Sequence, residues 1–221
     1  MPRTRSRVQL LPVVEAERLD LADFLESLDE REWVSESLCT GWTVHDVVAH
    51  LTLSARQTLG ETLLRVAAAR GNLERAEADW ARELAAEHSP AELITQLRAS
   101  AGRDHRLAFS SPLDPLTDVV VHGQDIAIPL GRRREMPPPV VLPVIGHVWG
   151  NGFYGRADRR FAGLRFVATD TDWSAGEGPR EVRGRIGDLL LVATGRAAGL
   201  DNCCGPGVGE AEVRLRGSAR A

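Results

Sequence analysis

Lysine is absent: all 27 basic residues are arginine. This excludes a Schiff-base lysine and the lysine of a phosphate-cradling P-loop. Cysteine is scarce, with Cys39 and the adjacent pair Cys203-Cys204 making three. An odd, low count does not build a disulfide scaffold, and one vicinal pair does not complete a zinc ribbon. No apolar run reaches the roughly 18 residues of a membrane span, so no membrane partner is expected. The net charge of −4 speaks against general nucleic-acid binding, which needs a basic surface. Residues 1–7 are basic but lack a hydrophobic segment behind them. They read as a frayed start, not a signal peptide, and the expected compartment is the cytoplasm.

What is present is ordinary soluble-protein composition, 43% hydrophobic and 26% charged, over 221 residues. That length suits one large domain or two small ones. Val14, Leu21, Leu25 and Leu28 recur at helical spacing and predict a first helix over 12–30. Thr43 and Asp46 form a capping-box start for a second, with Gly41 turning the chain into it. Its apolar stripe is Val44, Val47, Val48, Leu51 and Ala55; His50 lies on the flank, and His45 faces water. Residues 56–88 stay helical but charge-rich, and no site is assigned there. Ser89-Pro90-Ala91-Glu92 starts a third principal helix, expected to run to about Leu107. A fourth opens after Ser110-Ser-Pro-Leu-Asp-Pro115 and ends before Pro129. A four-helix bundle is the natural packing, and such a core is a common place for metal sites.

The fourth helix carries the most informative stretch, Asp118-Val-Val-Val-His122-Gly-Gln-Asp125. At about 100° per residue its two carboxylates and imidazole share one narrow arc of an otherwise apolar helix. Buried charges persist only when paired, hydrogen-bonded or bound to metal. Two readings of the stripe stand open on the residues alone: a metal site, or an Asp–Arg ion pair beside a satisfied core histidine.

Composition then shifts. Residues 132–151 read as a Pro- and Arg-rich linker with a connecting helix, and 152–221 as a small α+β domain. Strands are expected at 164–169, 181–186 and 212–216, with a short apolar helix over 188–194. The fold class is therefore α+β, a bundle over 1–131 followed by this small domain.

Cys-Thr-Gly-Trp-Thr-Val-His-Asp-Val-Val-Ala-His-Leu (39–51) and Asp-Val-Val-Val-His-Gly-Gln-Asp-Ile-Ala-Ile-Pro-Leu-Gly (118–131) together resemble the mycothiol-dependent maleylpyruvate isomerase family, within the DinB-like metal-dependent bundles. Thr-Asp-Thr-Asp-Trp173 and Val-Arg-Gly-Arg-Ile-Gly-Asp-Leu-Leu-Leu-Val-Ala-Thr-Gly-Arg196 resemble its sterol-carrier-like C-terminal domain. The resemblance implies a divalent metal, zinc by preference, held by His50, Asp118 and His122. It implies mycothiol as thiol cofactor or co-substrate, a small electrophilic and anionic substrate, and isomerase or S-transferase activity. It also implies a homodimer. The family usually carries Glu where this chain has Asp118. Asp125 is then a supporting partner or a substitute ligand, and Asp46 a second supporting candidate. Arg183, Arg185 and Arg196 are candidates for the substrate's negative charge. The alternative function is a non-catalytic metal- or ligand-binding bundle of regulatory role; metal-assisted hydrolysis ranks last.

Overall fold

Capping boxes set the register of the helical half. Asp29 with Glu32, Thr43 with Asp46, Thr58 with Glu61 and Ser89 with Glu92 each satisfy two orphan N–H groups at a helix start. The computed structural model describes residues 7–105 and 110–218. Among the described residues, seven helices precede residue 130: α1 (Arg7–Glu26), α2 (Glu30–Trp33), α3 (Val44–Ser54), α4 (Leu59–Ala68), α5 (Leu73–Glu87), α6 (Pro90–Ser100) and α7 (Asp114–Ala127). Helix α1 packs on α6 and α7, and α3 packs on the same two, so α1, α6, α3 and α7 close a four-helix ring. Helix α5 lies on the outside of α3, with α4 on α5. The ring's core is Leu21 and Leu25 of α1, Val44, Val47 and Val48 of α3, Leu93 and Leu97 of α6, and Leu116, Val119 and Ile126 of α7, all at most 1% exposed.

The third principal helix ends earlier than expected, at Ser100. Gly102 follows, and the buried Arg18 guanidinium donates to the carbonyls of Ser100, Ala101 and Arg103. A cation at the last carbonyls satisfies and stabilises a helix C-terminus. Leu107 and residues 1–6 lie outside the described residues.

The chain divides into two compact units, 1–134 and 135–221. In the second, α8 (Pro138–Val148) buries Val141, Val144, Ile145 and Val148 and packs on the later helix over Ile186–Ala193. It belongs to this unit's core, where the sequence had suggested a connecting segment over 132–151. Then come α9 (Ala157–Arg160), β1 (Leu164–Ala168), β2 (Ser174–Ala175), β3 (Arg180–Gly184), α10 (Ile186–Ala193), a 3₁₀ turn (Ala197–Asn202) and α11 (Val208–Ser218). The sheet order is β2-β1-β3, with β1 antiparallel to β2 and parallel to β3. Asp170 of the Thr-Asp-Thr-Asp motif caps α10, its Oδ1 accepting from Ile186 N at 2.8 Å.

The strand expected at 212–216 is helix α11 instead. Ala211 and Leu215, four apart, are its buried residues, while Val213 is 69% exposed. Glu210–Arg214 and Glu212–Arg216 pair one turn apart, which supports a helix and is meaningless in a strand. β2 supplies the third strand.

One glycine pins the turn before β3. Gly178 sits at φ 158°, and a Cβ there would lie 2.0 Å from the Gly163 carbonyl oxygen. Gly178→Ala is expected to cost about 3 kcal/mol or more, read as a lower unfolding temperature of this unit. A wild-type melting curve would show that the turn yields freely.

Candidate metal centre

The site is built at the α3–α7 contact. A hairpin-like loop leads into α3: Val44 N donates to Ser35 O, Ser37 N to Trp42 O, and Trp42 N to Cys39 O. Gly41 takes φ 75° to make that turn. Leu38 N donates to Asp125 O at 3.0 Å, which ties the loop to α7 and sets Cys39 beside it. His50 then projects from α3 against Trp42, ring centroids 5.3 Å apart, and against His122 of α7 at 5.1 Å.

Asp118 and His122 stand one turn apart on α7. His50, Asp118 and His122 each offer a ligand atom, and those atoms all lie within 4.8 Å of one another. A second trio, Cys39, His122 and Asp125, meets the same criterion and shares His122. Asp125 is fully buried. Its Oδ2 accepts from His122 Nδ1 at 2.8 Å and from Cys39 Sγ at 3.2 Å. With Nδ1 engaged, Nε2 is the nitrogen left to the first trio, the usual way a carboxylate sets the tautomer of a ligating histidine.

The electrostatics set the two imidazoles apart. Burial and the neighbouring His122 hold His50 down at about 3, so its imidazole is neutral with a lone pair to give. Burial also pulls His122 down, but its hydrogen bonds to Asp125 and Cys39 outweigh it and raise the imidazole to about 10. Asp118 is pushed up by burial, against the pull of His122, Arg18 and a Ser54 hydrogen bond. Arg18 attracts that carboxylate while its Nη1 donates to main-chain carbonyls. A neutral imidazole, a second imidazole oriented by a carboxylate and a desolvated carboxylate fit a divalent ion with N/O preference, zinc among them.

Other expectations fare differently. Asp46 is occupied in the α3 cap, its Oδ2 accepting from Thr43 N and Oγ1 at 2.8 Å each; it is a cap, not a support for His50. His45 does not face water: it packs on Trp33 and donates Nε2–H to the His88 carbonyl at 3.0 Å. Arg183 pairs with Glu181, Arg185 with Asp170, and Arg196 donates to Thr194 O. Glu77 of α5 was missed. Burial foremost, then Asp118, raise its carboxyl to about 7, with His122 opposing. It falls in the charge-rich stretch that reads as a solvated face, but it sits between Ala76 and Ala81, both buried. Two small buried residues flanking an acid were the available signal.

Residues 14–108 match the family model for the mycothiol maleylpyruvate isomerase N-terminal domain. The match lies within the helical unit. An uncharacterized protein of Mycobacterium tuberculosis, found in two strains, is 29% identical over 218 residues, spanning 83% of each chain. The crystal structure of the mycothiol-dependent maleylpyruvate isomerase has the same fold, with a TM-score of 0.59 at 16% identity, covering 90% of this chain and 91% of that one. The structure of a His-to-Ala mutant of that isomerase matches with the same score at 15% identity. The mostly helical first unit and the three-stranded second unit together make the α+β class expected from the sequence.

Proposed function

We propose that the protein is a metal-dependent enzyme of maleylpyruvate isomerase type, a cytoplasmic isomerase or S-transferase that uses mycothiol on a small electrophilic, anionic substrate. The convergence of His50, Asp118 and His122 in a helical unit that matches this family's model carries the reading. A divalent ion on these three residues would lower the pKa of an incoming thiol, as it does for water, and so supply thiolate at neutral pH. His50 offers a neutral nitrogen. Asp125 engages His122 Nδ1 and leaves Nε2 to face the ion. Trp42, edge-on to His50, shields that imidazole. Glu77, with a carboxyl near 7, takes the thiol proton, the match of pKa to pH that proton transfer favours.

The pH profile tests that last role. Glu77 accepts a proton only when ionised, so kcat/KM should rise with pH through about 7 and then level. Glu77→Gln should lower the rate by about 100-fold, remove that acidic limb and leave the metal content intact. The same limb persisting in the variant would assign it elsewhere.

The non-catalytic reading, a metal- or ligand-binding bundle, is favoured by Asp118 standing where the family resemblance implies Glu. Elemental analysis of untagged protein, paired with turnover of an electron-poor alkene with mycothiol, separates the two. About one divalent ion per chain with thiol-dependent turnover supports the enzyme. The ion without turnover on several electrophiles supports the binding role. No ion, and none gained from added zinc, sinks the enzyme and the metal-binding role and leaves only a ligand-binding bundle.

A further inference from the structure

Cys39 is not needed by the proposed reaction, whose thiol arrives with the co-substrate. Yet a thiol, an imidazole nitrogen and a buried carboxylate oxygen meet at one point. Cys39 Sγ lies 3.7 Å from His122 Nδ1 and 3.2 Å from Asp125 Oδ2, and the nitrogen and oxygen are 2.8 Å apart. Around a tetrahedral zinc-sized ion the sulfur would sit about 3.5 Å from each partner, and nitrogen and oxygen about 3.3 Å apart. Only the last distance must open appreciably. The loop carrying Cys39 is fixed to α7 by the Leu38–Asp125 main-chain hydrogen bond and internally by the Ser37–Trp42 pairing. Asp125, 0% exposed, has its carboxylate between the two other donors.

We propose that Cys39, His122 and Asp125 form a second cation site, selective for thiophilic divalent ions and reached through the opposite ring nitrogen of His122. The inference rests on the first trio only in that both draw on His122. A thiolate in the donor set favours soft and borderline ions, which the N/O set of His50, Asp118 and His122 does not single out. The second ion displaces the hydrogen bond by which Asp125 orients His122. Filling it should therefore inhibit the first site, and the order of filling is fixed: first the trio that leaves the His122–Asp125 hydrogen bond in place, then the one that displaces it.

Cobalt(II) is the probe, because only a thiolate ligand gives an intense near-ultraviolet charge-transfer band. The protein carries Cys203→Ser and Cys204→Ser, which removes the remaining thiols. The first equivalent should bring visible bands alone and the second the charge-transfer band. Cys39→Ser should abolish that band and keep the first equivalent. His50→Ala should lose the first equivalent and keep the band. No charge-transfer band at any cobalt level, or one that survives Cys39→Ser, overturns the second site. A band on the first equivalent, unmoved by His50→Ala, keeps the thiolate site and instead overturns the first trio.

Discussion

Replacing His122 by alanine should remove the divalent ion and also destabilise the metal-free fold by about 3–5 kcal/mol. The two losses have separate causes. His122 is common to both ligand trios, so neither can close without it. Its Nδ1–H also faces the Asp125 carboxylate at 2.8 Å, and that carboxylate is 0% exposed. Removing one partner of a buried pair strands the other's charge, which costs more than the pair ever contributed. His50→Ala gives the contrast. His50 is neutral at working pH, held down at about 3, so its removal strands no charge. It should lose the ion but cost only a cavity, about 1–2 kcal/mol. The difference should depend on pH in a definite sense. The His122 imidazole is raised from 6.5 to about 10 in the folded chain. Its contribution is therefore whole below 6.5 and fades as pH climbs through 10, and the gap between wild type and His122→Ala should narrow over that window. Urea titrations of metal-free protein at several pH values, beside elemental analysis, check both halves. Wild-type metal content in His122→Ala would remove His122 from the site; unchanged metal-free stability would mean the Asp125 pair carries no weight.

The ring of four helices was legible because its signals are local. Thr43–Asp46 and Ser89–Glu92 are capping boxes readable within four letters, and both form. Asp118 and His122 share a face by helical geometry alone, whatever the tertiary fold. Placing His50 opposite them needed the family resemblance, because helical angles left it on a boundary between core and solvent. Cys39 was not legible, and Glu77 only through the small residues beside it. Cys39 reaches α7 through a loop whose path is set by one main-chain hydrogen bond to Asp125, 86 positions away in sequence. Glu77 is turned inward only because α5 packs on α3, a fact that its own charge-rich neighbourhood conceals. At the other end, Glu212-Val-Arg-Leu-Arg216 alternates over five residues, too few to separate a strand from a helix. The pairing of Glu210 with Arg214 and Glu212 with Arg216 decided it.

Asp118→Asn should do the opposite of His122→Ala to the empty protein while matching it with the ion. Asp118 is a carboxylate on a half-buried face, and burial outweighs everything that favours its charge. Its folded pKa lies above the 3.8 of an ordinary aspartate. The stabilising form is therefore the protonated one: the contribution is complete below 3.8 and lost as pH rises through the folded value. At neutral pH the ionised group is a net burden on the fold. Asparagine keeps the size and the hydrogen-bonding capacity without the charge, so the metal-free variant should be more stable by about 1 kcal/mol at pH 7. It should gain nothing at pH 3, where wild-type Asp118 is already protonated. Metal affinity should fall more than about 100-fold, beyond what loss of a merely supporting residue brings. That combination separates the open readings of the Asp118 stripe. A structural ion pair would lose stability on neutralisation and hold no ion to lose. A residue kept for a ligand burdens the empty fold and is relieved when the ion binds. Adding zinc should accordingly stabilise wild type in proportion to its occupancy and leave Asp118→Asn nearly unchanged. A destabilised, zinc-indifferent Asp118→Asn protein, with wild type equally indifferent, would return the stripe to the ion-pair reading.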